Sequence, residues 1–166
     1  MGNKELLEKK KKLQETRNIL KIMNSIKILH IYETNENPEL TKIENLFNEL
    51  GVNSNNKKPD ERISSKSTED EIIQWISGLL LLKKNDILFW YCNRLWVEIE
   101  VTNEQLIIKE LWNHEKNYFK TNYCAGFLII PSTMDRMFEF GFDSRDEYNI
   151  LFDEYKLNTL KLGLSH

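Results

Sequence analysis

The stretch from Asp86 to Phe142 constrains this chain more than any other. It contains ILFWYCNRLWVEIEV, EQLIIKELW, YCAGFLII and DRMFEFGF, apolar and aromatic runs of strand length broken by short polar turns. A two-residue turn at Asn93-Arg94 sets Cys92 opposite Leu95, Trp90 opposite Val97 and Leu88 opposite Ile99, a wholly apolar face. The other face then pairs Tyr91 with Trp96, Phe89 with Glu98 and Ile87 with Glu100. A further turn at Asn103-Glu104 extends the sheet through residues 104–112, with Ile99 opposite Ile108, Glu98 opposite Lys109 and one awkward pair, Val97 with Glu110. The alternative for 104–112 is a short helix capped by Asn103. After a polar connection at 113–122, residues 123–130 and 135–142 make a second hairpin around Pro131-Ser132-Thr133, with Phe138, Phe140 and Phe142 on one face.

Helical patterns flank this sheet. Leu6, Leu13 and Leu20 recur every seven residues, and Ile19, Ile22, Met23, Ile26 and Leu29 continue the stripe, which predicts a helix over 4–29. The stretch IKILHIY at its end is β-branched enough to be a strand instead. The heptad also offers a seam for a homodimer, and the lysines from Lys9 to Lys12 read as a solvated face. Asn37-Pro38-Glu39 starts a helix that Gly51 ends. Residues 52–67 read as a polar loop. Thr68 with Glu71 forms a capping box for a largely buried helix over 68–84, in which Gly78 suggests close packing against a neighbour. Ser144 with Glu147 is a second capping box, predicting a last helix over 144–157 with Tyr148, Leu151, Phe152 and Tyr155 inward, and the tail after Leu160 frays. The expected fold is α+β: an antiparallel sheet of four or five strands over about 86–142, packed by helices. Residues 1–51 are helices packed on or appended to a body spanning 68–166.

Composition narrows the function. Residues 1–60 carry 11 Lys+Arg against 9 Asp+Glu, whereas residues 61–166 carry 12 against 17, so the acid excess lies in the body. Such a balance disfavours nucleic acid, whose binding draws on phosphate neutralisation, and suits a basic protein partner. Cys92 and Cys124 lie in apolar runs and read as reduced, buried thiols of a cytosolic protein. The first residues do not resemble a signal peptide, Leu6 breaks a myristoylation pattern at Gly2, and the longest apolar run, Leu79–Leu82, is too short for a membrane. His30, His114 and His166 have no convergent partners in the sequence, so no catalytic, metal or cofactor site is expected.

The most informative surface is the second face of the first hairpin. Phe89, Tyr91 and Trp96 lie beside Glu98 and Glu100, with Glu139 able to join them: rings that anchor and acids that steer a protein partner. The competing reading is that the N-terminal helix covers the rings. Glu98 and Glu100, with Asp86, loosely resemble the acidic hairpins of metal-dependent nucleases. The lysine those sites place third is missing, however, which removes a part of the water-activating chemistry. In size, acidity and lack of a catalytic constellation the chain is similar to small immunity proteins that neutralise a toxin. The expected function is a non-catalytic cytosolic binding module that occludes a basic toxin or nuclease. A phage or mobile-element inhibitor of a host defence enzyme would work by the same physics. The alternative from another class is a small divergent metal-dependent enzyme using the strand carboxylates.

Overall fold

A computed structural model describes residues 3–53, 58–118, 126–141, 145–146 and 148–157. Within them lie α1 (Asn3–Leu20), β1 (Ile26–Tyr32), α2 (Pro38–Asn53), β2 (Glu61–Ser64), α3 (Glu69–Leu80), β3 (Ile87–Cys92), β4 (Leu95–Val101), α4 (Glu104–Tyr118), β5 (Gly126–Pro131), β6 (Arg136–Gly141) and β7 (Asn149–Lys156). The class is α+β, as expected. The described strands form one antiparallel sheet of seven in the order β1-β4-β3-β5-β6-β7-β2, wider than the four or five expected.

The central hairpin has the register that its alternation dictates: Cys92↔Leu95, Trp90↔Val97 and Leu88↔Ile99, with Tyr91↔Trp96, Phe89↔Glu98 and Ile87↔Glu100 on the other side. Its turn residues Asn93 and Arg94 have φ of 50° and 60°. Two left-handed residues in a row match the twist of the flanking strands; Asn tolerates this, while Arg gives up roughly 1 kcal/mol. The Asn93 Nδ2 donates to Thr16 Oγ1 at 3.3 Å and to the Lys12 carbonyl at 3.4 Å, which ties the turn to α1.

Both faces of the sheet are covered. On one, Leu88, Trp90, Val97, Ile99, Phe127, Phe140 and Phe152 pack beneath α3, α4 and the end of α1. Phe140 is fully buried and stacks on Phe127 at 5.1 Å between ring centroids, with Trp75 of α3 edge-on at 5.8 Å. On the other face, Leu40 and Ile43 of α2 close over Phe89, Trp96, Leu128, Ile130, Met137 and Tyr155. The caps of two helices were readable: Asn37 Oδ1 accepts from the Glu39 and Leu40 N–H groups, and the Thr68–Glu71 capping box is formed.

Several expectations are corrected. The helix over 4–29 ends at Leu20, and Ile26–Tyr32 is the strand β1, paired to β4 as Ile26↔Val101. Residues 1–51 thus contribute one strand to the sheet as well as the helices α1 and α2. The polar stretch 52–67 contains β2, which pairs with β7 as Ile63↔Ile150. Residues 104–112 belong to a helix: Asn103 Oδ1 caps it by accepting from Gln105 and Leu106 N–H, and α4 runs on to Tyr118 through the expected connection. The helix expected over 144–157 is instead β7; hydrogen-bond partners across β6 and β2 outweigh a helical spacing that several residues of a strand can imitate. Its capping residues Ser144 and Glu147, together with Phe142, Cys124 and the tail after Leu160, lie outside the described residues. Helix α2 continues past Gly51 to Asn53. A Cβ at Gly78 would meet nothing within 4 Å, so the close packing expected there does not occur.

Candidate functional site

The aromatic–acidic face of the first hairpin exists, but its rings are largely internal. Phe89 and Trp96 are only 6% and 5% exposed, sealed under α2 rather than under the N-terminal helix. Neither ring can anchor a partner while α2 stays in place. Tyr91 is half-buried against Trp96, at 4.8 Å between ring centroids, and its hydroxyl donates to Glu44 Oε1 of α2 at 2.7 Å. The same device recurs twice on this face. Tyr32 donates to Glu98 Oε2 at 2.7 Å, and Tyr155 donates to Glu139 Oε2 at 3.0 Å. Burial, reinforced by the neighbouring carboxylates, pushes all three phenols up, Tyr32 to about 12, so each remains a donor at neutral pH. Glu44, Glu98 and Glu139 thus satisfy tyrosine hydroxyls on this face, a physical reason for its mixed pattern of rings and acids. Glu139 lies on β6, two strands along the sheet from β3, opposite Asp153 of β7, which pairs in turn with Arg145.

What stays accessible is the β1 side of the face. Glu100 accepts from Lys27 Nζ at 2.9 Å with its side chain 25% exposed. His30 lies opposite Glu98 across β1 and β4, packs edge-on to Tyr32 at 4.4 Å, and meets Glu36 Oε1 through Nε2 at 2.8 Å. The Glu36 carboxylate also accepts from the Glu33 N–H at 2.7 Å, and that bond, with the contact to His30, holds it below the usual carboxylate range. Glu98, Glu36 and Glu33 therefore follow one another around the end of β1, with Glu100 one step down β4. Sequence reading found Glu98 and Glu100 but missed Glu33 and Glu36. The signal available for them was IKILHIY itself: read as a strand, it puts the residues that follow it at the same edge.

Beside this rim, a cleft of about 430 Å³ opens between α1 and the start of the β1–α2 link, lined by Glu5, Glu8, Lys9, Lys12, Glu33 and Leu95 among others. Both acids and lysines line its wall. Lys12 is held below its ordinary value, first by burial and then by the nearby Arg94.

The other titratable cluster lies in the core. Glu115 of α4 is 3% exposed, and burial raises its carboxyl against the opposing pull of His114. Burial and the Glu115 charge raise the Cys92 thiol, so it stays protonated and unreactive. Among the described residues no group of three or more His, Cys, Asp or Glu side chains is placed to hold a metal ion, and no helix is long and apolar enough to cross a membrane. Glu98 and Glu100, the pair considered for metal, are engaged by Tyr32 and Lys27. The chain matches no protein-family model, no curated protein and no solved structure.

Proposed function

We propose that the protein is a non-catalytic, cytosolic binding protein of the immunity or inhibitor kind, which occludes a basic protein partner. The observation that supports this reading is the line of glutamates along the open β1 side of the sheet. Glu33 and Glu36 are exposed, Glu98 and Glu100 are half-buried, Lys27 is paired to Glu100, and Lys9 and Lys12 line the cleft beside Glu33. Such a line steers a cationic surface into register and offers charge-assisted hydrogen bonds to its Lys and Arg side chains. The carboxylates are held in place by Tyr32, His30 and the Glu33 N–H, so little side-chain order is lost on binding. An inhibitor of a defence enzyme carried by a mobile element would use the same surface.

The test is affinity capture of the tagged protein from its native host, beside a Glu33→Lys/Glu36→Lys variant of unchanged circular dichroism. One stoichiometric basic partner, lost on charge reversal and weakened by salt, is the expected result. A clean bait, or a partner indifferent to the reversal, refutes the proposal.

A further inference from the structure

The two edges of the sheet differ in a way that acidity does not explain. At one edge β2 is four residues long, Glu61-Arg62-Ile63-Ser64, with Glu61 and Arg62 exposed. A short, charged strand is the ordinary guard against unwanted pairing. At the other edge β1 is seven residues long and reads IKILHIY, with Lys27 and His30 its only ionisable side chains apart from Tyr32. Ile28 is 41% exposed and Leu29 38% exposed, and among the described residues no strand lies outside β1. The outward N–H and C=O groups of β1 thus form a longer and less charged template for another strand than β2, with Lys27 at one end only. The ladder to β4 shifts between Ile28 and His30, so Leu29 sits at a bulge. A bulge breaks a long flat edge, which favours one short added strand over stacking of whole sheets.

We infer that β1 accepts an extended segment of a basic partner as an eighth strand, in a pattern that alternates basic and aliphatic residues. This rests on the reading of the protein as a binder of a basic partner. The alternation follows from the two faces of β1. His30 and Tyr32 share a face with Glu98, and Glu36 closes on His30, so side chains of the added strand on that face lie beside His30 with the Glu36 carboxylate at its ring. The opposite face carries Ile28, so the intervening residues meet aliphatic surface. Lys27 lies on the acidic face at the far end, opposite Glu100, so the basic residues belong at the His30–Tyr32 end. Main-chain hydrogen bonds supply affinity in this mode, and alternate side chains supply specificity.

The probe is a short synthetic peptide alternating valine with lysine, compared with one alternating valine with glutamate, on the isotope-labelled full chain. Amide hydrogen exchange at residues 27–31 should slow by about tenfold with the lysine peptide at ten times its dissociation constant. The glutamate peptide should leave it unchanged. An Ile28→Lys/Leu29→Lys variant of native circular dichroism should lose the protection, because lysines guard the edge. Signal changes at Glu36 and Glu98 without protection of the β1 amides would show charge attraction alone and overturn strand addition. Protection that grows with protein concentration and no peptide, with a dimer mass by light scattering, would make a second copy the occupant and also overturn it. If the edge variant captures the host partner as well as the unaltered chain does, the inference fails and the proposed function stands. If neither captures a basic partner, the proposed function is what fails.

Discussion

Replacing Glu110 by Ala should destabilise the protein by about 3 kcal/mol although no apolar core residue is touched. The Glu110 carboxylate of α4 accepts from Asn24 N–H at 2.9 and 3.0 Å, from Ser25 N–H at 2.9 Å, and from the Ser25 hydroxyl. These donors belong to the link that turns α1 into β1. The Asn24 N–H is exposed and can turn to water. Ser25 is fully buried, so its N–H and hydroxyl would both be orphaned, at roughly 1–3 kcal/mol each. For a chain of this size that corresponds to a fall in melting temperature of about 6–12 °C. Urea denaturation of Glu110→Ala, Ser25→Ala and the double variant measures it, and a coupling of about 1 kcal/mol or more between the two sites is expected. A loss under about 1 kcal/mol in Glu110→Ala, or strict additivity in the cycle, would show that the carboxylate does not hold the link, and the reasoning would be refuted.

Gly78→Ala in α3 should stabilise the protein by roughly 0.5–1 kcal/mol, since a helix interior favours Ala and the added methyl meets open space; a destabilised variant in the same urea assay would contradict that. Glu115 predicts a pH dependence of definite sign. Its folded carboxyl lies above the unfolded value, so the folded state binds the extra proton and stability falls as pH rises through the window between the two values. Glu115→Gln should remove that fall, and superimposable stability–pH curves for the two proteins would count against it. In a Cys124→Ser background, Cys92 should resist a thiol reagent in the native protein and react only on unfolding; fast native labelling would exclude the buried thiol.

The central hairpin was legible because alternation and a two-residue turn allow one register, and a slip of one residue would turn Trp90 and Val97 to the wrong face. The strand β7 was not, because NILFDEYK spaces its apolar residues as a helix does, and its inward Asp153 makes sense only once Arg145 is beside it. Helix α4 and β1 were each open to two readings. The unwelcome pairing of Val97 with Glu110 was the local sign that 104–112 is not a strand, since Glu110 faces Ser25 instead. At the candidate site, the exposure of the rings was open to two readings, and they are covered, by α2 rather than by the N-terminal helix. That Phe89 and Trp96 lie under α2 depends on where a helix some 50 residues away in the chain comes to rest, which no local pattern encodes.

The strand order also bears on how the protein is made. The β3–β4 pair and the β5–β6–β7 meander join near neighbours in the chain, whereas the outermost partnerships are remote: Ile26 with Val101 and Glu61 with Phe152. During synthesis at about 5–20 residues per second, β1 leaves the ribosome several seconds before β4 exists to receive it, and β2 must wait for β7. The nascent chain therefore carries IKILHIY unpaired until β4 has emerged, and β2 joins the sheet only once β7 has emerged.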